Sequence, residues 1–155
     1  MRAMLRVIVG VFLFAALSSA GHAADAKAAG TGEHRVAIQV DQNDPVVMNL
    51  ALNNAANVME FYKAKGEAVQ VEIVTYGPGL HMVRADTSPV KDRIKQIIDG
   101  AFPSSVKFLA CGNTKEGMEK REGKAISVIP EATVVPSGAV RLIELQEAGW
   151  SYLRP

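Results

Sequence analysis

The chain holds 155 residues, with 17 lysines and arginines against 16 acids, three histidines and one cysteine. A charge so nearly balanced excludes the basic surface that nucleic acid or an anionic membrane requires. A single cysteine excludes both an intramolecular disulfide and a thiolate-rich metal site.

Met1 to Arg6 carries two arginines and no acid, Val7 to Leu17 is apolar apart from Gly10, and Ser18 to Ala23 is a string of small residues around His22. This is the order of a secretory signal, and cleavage after Ala23 puts Gly21 and Ala23 where small side chains are needed. The apolar run of about a dozen residues is shorter than the ~20 of a bilayer-spanning helix, so a cleaved leader is expected rather than an uncleaved anchor. A signal peptide at residues 1–23 implies a periplasmic protein with no membrane attachment after cleavage. Loss of Arg2 and Arg6 leaves 15 basic against 16 acidic side chains, a formal charge of −1. Residues 24–33 are rich in Ala and Gly without periodicity and read as a disordered leader. Residues 34–155 then form one domain, large enough to bury about two thirds of its unfolded surface.

From His34 the hydrophobic period switches back and forth between strand and helix. Val36, Ile38 and Val40 predict a first strand, followed by a helix with Asp44 as N-cap, Pro45 at its first position and Lys65-Gly66 at its end. Its apolar face is predicted from Val47, Leu50, Ala51, Val58, Met59 and Tyr62. Val69, Val71, Ile73 and Thr75 predict the second strand. A second helix carries Val90, Ile94, Ile97 and Ile98, opened by Ser88 and Pro89 and closed by Gly100. Val106 to Ala110 predicts a third strand. A third helix, Thr114 to about Glu122, has only Met118 as apolar anchor and is expected to be short and weakly held. Ala132 to Val135 predicts a fourth strand; a fourth helix follows on Ala139, Leu142 and Ile143, ending at Gly149; Trp150 to Leu153 predicts a fifth strand.

Regular alternation of strand and helix implies an α/β domain with a largely parallel sheet. Right-handed crossovers place every strand-to-helix loop at the carboxyl edge of that sheet, where open α/β folds hold their ligands. Those loops are 41–44, 76–81, 111–114 and 136–138, so Cys111 is aimed at the edge where sites are built. Asn113 with Glu116 three residues on has the form of a capping box, which puts a helix start just after Asn113. Unpaired N–H groups and the helix dipole there favour an anion, and the thiolate is the reactive form of cysteine. Free cysteine is also among the most buried residue types. The residues alone leave both readings of Cys111 open.

Asn54 falls between Leu50 and Val58, and Gln146 interrupts the apolar residues of the last helix. Each is expected to tie a loop or subunit contact in place, or to line a ligand site. Gly77-Pro78-Gly79 lacks the spacing of a dinucleotide fingerprint and reads as a tight turn whose backbone can approach a ligand. His81, two residues on, is within plausible reach of Cys111 as a thiolate partner or is an ordinary loop histidine. No cofactor and no metal is called for by any motif.

Taken in order, VAIQVDQND, LALNNAANVMEFY, VEIVTYGPG, VKFLACGNT and VVPSGAVRLIELQEAGWSYLRP resemble the secreted single-domain branch of the DsrE/DsrF-like family, over nearly all of residues 34–155. The resemblance implies a flavodoxin-like, DsrEFH-like domain: a three-layer sandwich with a mainly parallel five-stranded sheet, assembled as a homotrimer or homohexamer. Cytoplasmic members carry sulfur as a persulfide on a cysteine that ends a central strand, a position Cys111 matches; export and the following Gly112-Asn113-Thr114 depart from those carriers. The leading expectation is a periplasmic thiol protein with Cys111 as nucleophile or persulfide carrier and a sulfur donor or acceptor protein as partner. The backbones at Gly77, Gly79 and Gly112 would stabilise the sulfur anion, with Asn43, His81 or Asn113 adding hydrogen bonds. The alternative is a non-catalytic oligomer that binds a small molecule or acts as an adaptor, with Trp150 and Tyr152 packing against another subunit. An oxidising compartment further implies that the thiol is shielded, with a neighbouring subunit as the expected cover.

Overall fold

Five apolar runs become the strands of one sheet in the computed structural model of the chain, which describes residues 34–155. The expected signal peptide and leader lie outside the described residues. The strands are β1 (His34–Val40), β2 (Val69–Thr75), β3 (Ser105–Cys111), β4 (Ala132–Val135) and β5 (Ser151–Leu153). Their order across the sheet is β4-β3-β2-β1-β5, and every pairing is parallel. Helices α1 (Pro45–Ala64), α2 (Lys91–Asp99), α3 (Gly112–Glu122) and α4 (Gly138–Glu147) complete the α/β fold. Among the described residues no helix is long and apolar enough to cross a membrane.

Pleating sends alternate side chains to the two faces. Ile38, Val71, Ile73 and Phe108 join Met48, Leu52, Ile94 and Met118 from α1, α2 and α3 in the main core. Ala37, Val74 and Leu109, one residue out of phase, meet Leu142 and Leu145 of α4 in a smaller second core. The topology explains this three-plus-one division. The first three crossovers step in one direction across the sheet, so right-handedness keeps α1 to α3 on one face. The last crossover returns from one edge to the other and must lie on the opposite face.

Local chemistry sets the ends of the elements. Asp44 caps α1 by accepting the Val46 N–H at 2.7 Å, with Pro45 in the first turn as expected. The buried face of α1 is rotated from the predicted stripe: Met48, Ala51, Leu52, Ala55 and Met59 lie against the sheet, whereas Leu50 is 43% exposed. Small alanines allow the helix to approach a twisted parallel sheet, which leaves Asn54 half-buried on the flank rather than mid-stripe. α4 is rotated likewise, with Leu142 and Leu145 inward and Ile143 54% exposed. Gln146 is therefore an exposed residue that donates back to the Leu142 carbonyl at 3.0 Å. α2 starts at Lys91, later than its predicted opening; Ser88 is drawn inward, where its hydroxyl donates to the Met82 carbonyl. Residues Gly77–Met82, expected to be a loop, wind into a 3₁₀ turn.

Candidate active site at the end of β3

Cys111 closes β3, in register with Val135 at the end of β4. The chain leaves β3 into α3 on one face of the sheet and leaves β4 into α4 on the other. Adjacent strands whose onward connections go to opposite faces open a crevice between their carboxyl ends, the usual ligand position in open α/β sheets. Cys111 ends β3 at that boundary, and both helices begin beside it. It is itself the N-cap of α3, which starts at Gly112, so the expected helix start after a capping Asn113 is corrected by two residues. No Asn113 cap forms because Cys111 is still extended and Asn113 already lies inside the first turn of the helix. The Asn113 N–H also donates to the Pro136 carbonyl at 3.1 Å, tying α3 to the loop after β4.

The sulfur is enclosed by its own chain, with Cys111 only 4% exposed. Burial alone pushes a thiol up by penalising the charged form, and it is the largest single influence here. Hydrogen bonds reverse it. The Thr114 hydroxyl and the backbone N–H groups of Gly138, Thr114 and Asn113 lie around the sulfur, and together they hold the thiol below its ordinary value. Three of those donors belong to the first turn of α3, and Gly138 is the first residue of α4. Two helix N-termini, from opposite faces, thus converge on one sulfur atom.

Close packing makes this possible. A Cβ on Gly138 would sit 3.0 Å from the Tyr76 Cβ and 3.2 Å from the Cys111 Cβ. A Cβ on Gly112 would sit 3.1 Å from the Val135 carbonyl oxygen. Thr114 is oriented by the turn after β2: its Oγ1 accepts the Gly77 N–H at 2.9 Å, which leaves its own proton for the sulfur. Ser137 caps α4 by accepting the Val140 N–H at 3.4 Å.

The expected site residues divide into two groups. Gly112, Asn113 and, through Thr114, Gly77 are gathered around Cys111. Gly79 is turned away: its added Cβ would fall 2.2 Å from the Val40 carbonyl oxygen, so it seats the 3₁₀ turn on the end of β1. The His81 Nδ1 pairs with the Thr87 hydroxyl at 2.8 Å. Asn43 is exposed in the loop after β1, a strand separated from β3 by β2. Thr114, Gly138 and Tyr76 escape a reading of the sequence as site residues. The serine N-cap signal at Ser137 marks the α4 start, but only the strand order brings that start over β3.

Tyr76 links the cysteine crevice to a polar cluster beyond it. Burial raises its phenol, and Asp41 and Tyr152 raise it further, so the ring stays neutral. Gln39 spans this cluster, donating to Asp41 at 2.9 Å and accepting the Tyr152 hydroxyl at 2.5 Å, and Arg154 closes it on Asp41 at 3.0 Å. Among the described residues there is no group of three or more His, Cys, Asp or Glu arranged to hold a metal ion.

A family model described as the DsrE/DsrF-like family matches residues 34–155. Four chains of known structure match the fold. One is MTH1491 from Methanobacterium thermoautotrophicum, a protein of unknown function, with a TM-score of 0.64 and 28% identity, covering 79% of this chain and 100% of that one. No curated protein matches the chain.

Proposed function

The chain belongs to the DsrE/DsrF-like family, and from that premise we propose that it is a periplasmic sulfur-relay protein whose Cys111 carries a persulfide. The observation that carries this reading is the sulfur's position between two helix N-termini, with four donor groups that hold its thiol below the ordinary value. In the step proposed, the Cys111 thiolate attacks the outer sulfur of a donor persulfide. One S–S bond forms as the donor's S–S bond breaks, and the donor leaves as a thiolate. Release is the same step in reverse, with an acceptor thiolate attacking the outer sulfur on Cys111. Neither step needs an external oxidant, reductant or metal.

The same donors that hold the thiolate stand ready to hold the anion of the bound persulfide. Shielding by Tyr76, Gly138 and Thr114 of the same chain supports survival of a lone thiol in an oxidising compartment, with no neighbouring subunit required as cover. Assembly into a homotrimer or homohexamer is part of the reading. Val134 on β4 and Val140 and Ile143 on α4, 46%, 51% and 54% exposed, are apolar side chains that support it.

Intact-mass measurement after incubation with polysulfide tests the proposal. The wild type is expected to gain the mass of one or more sulfur atoms, removable by reductant, and Cys111→Ser to gain none. A wild type that stays at its unmodified mass, or a serine variant that gains equally, would overturn it.

A further inference from the structure

The two helices that meet at Cys111 have little apolar surface holding them down. In α3 only Met118 is a buried apolar side chain, and in α4 only Leu142 and Leu145 are. Apolar contact is non-directional, so it seats a short helix without fixing its height or rotation. Direction comes from elsewhere. Glu72, on β2 and 4% exposed, lies on the α4 side of the sheet, one residue out of phase with Val71 and Ile73 of the main core. Arg141, three residues past Gly138 and on the same side of α4, grips it in a fork. Nε donates to Oε2 at 3.0 Å, and Nη2 donates to Oε1 at 2.9 Å and to Oε2 at 2.8 Å.

We propose that the Glu72–Arg141 pair is a positioning device for the thiol site, setting how close the first turn of α4, and with it the Gly138 N–H, stands to Cys111. The proposal rests on the reading that Cys111 works as an anion. A pair whose carboxylate is buried and whose guanidinium is 32% exposed is a poor stabiliser: apolar side chains of similar volume commonly hold a fold as well or better. What an apolar pair lacks is the planar, bidentate geometry that fixes one helix height. Gly138 leaves little room for displacement, since even an added Cβ would fall 3.0 Å from the Tyr76 Cβ and 3.2 Å from the Cys111 Cβ.

The test replaces both partners, Glu72→Met with Arg141→Met, in the full domain. One charge of each sign is removed, so the net field at Cys111 is little altered. Lys107, the register neighbour of Glu72 on β3, and Glu144 on α4 keep their places around the pair. Melting temperature and the pH midpoint of Cys111 alkylation are measured together. The variant is expected to melt within a few degrees of wild type or above it, while its alkylation rate at neutral pH falls roughly two- to tenfold, the worth of one misplaced amide donor. Arg141→Lys, which keeps the charge and loses the fork, is expected to shift the midpoint in the same direction by less, and it serves if the double variant does not fold. Folded variants with an unmoved midpoint would overturn the positioning role. A wild-type midpoint at that of a free thiol, about 8.5, would instead overturn the anion reading on which it rests.

Discussion

Thr114→Val removes one hydroxyl from the site and little else, because valine keeps the size and branching of threonine. Two bonds are lost: the donation to the Cys111 sulfur and the acceptance of the Gly77 N–H at 2.9 Å. A hydrogen bond to a charged partner is worth about 1.5–3 kcal/mol, and Cys111 is enclosed enough that water does not replace it. At about 1.4 kcal/mol per tenfold, the thiolate fraction near neutral pH should fall roughly ten- to a hundredfold. The assay is the rate of alkylation by iodoacetamide from pH 6 to 10, followed by intact mass. Wild type should react far faster than Thr114→Val at neutral pH, and the two rates should converge at high pH, where both sulfurs are ionised. Thr114→Ser, which restores the hydroxyl, should recover the wild-type profile. A rate ratio that stays constant across the whole range would mean that the substitution changed access to the sulfur and not its ionisation, and the reasoning would be refuted.

Ionisation also links to stability. A thiol held below its unfolded value contributes stability that is present above that value, about 8.5, and is lost as pH falls through the folded one. Under reducing conditions, wild type should therefore gain on Cys111→Ser in urea unfolding as pH is raised from 6 to 9; a flat difference would contradict this. Arg84 is 1% exposed and donates to Glu122 at 2.6 and 2.9 Å and to Asp86 at 2.9 and 2.8 Å. Replacing both carboxylates, Asp86→Asn with Glu122→Gln, strands a buried guanidinium and should cost about 3–5 kcal/mol. Arg84→Met should cost less, because the freed carboxylates, 43% and 32% exposed, can rehydrate; denaturant midpoints in the opposite order would sink this account. Gly79→Ala should destabilise severely, with its Cβ placed 2.2 Å from the Val40 oxygen, whereas Gly117→Ala in α3, nearest contact 3.5 Å, should stabilise by about 0.5–1 kcal/mol.

Most of the framework can be read from local chemistry. β1, β2 and β4 are rich in β-branched residues, β3 ends in an apolar run, and Asp44-Pro45 announces α1 wherever the chain then goes. The buried faces of α1 and α4 could not be read as well. Size ranks Leu50 and Ile143 as core residues, but the twist of the sheet selects Leu52, Ala55 and Leu145 in their place. The 3₁₀ turn at Gly77–Met82 looks like a loop because its glycines and proline are turn formers; it is held by Gly79 against β1, a contact distant in sequence. Arg84 has the appearance of an ordinary loop cation until the fold brings Glu122 to it from 38 residues away. Cys111 was legible as a lone thiol at a strand end. Gly138 was not, since a reading that leaves strand order open cannot tell that α4 begins over β3.

Strand order also accounts for the chemistry more fully than the cysteine does. At the end of any inner strand a thiol meets one helix N-terminus, and the burial that comes with such a position works against its ionisation. Here burial is the largest single influence on Cys111, and only the sum of four donors outweighs it. With burial opposing them, each donor counts, so a small displacement of either helix should move the thiol back up toward its ordinary value. Only the β3–β4 boundary, with onward connections to opposite faces, adds a second N-terminus, that of α4 at Gly138, to the groups that lower the thiol. The same cysteine at the end of β2, whose helix lies on the same face as those of its neighbours, would be a buried hydrophobe.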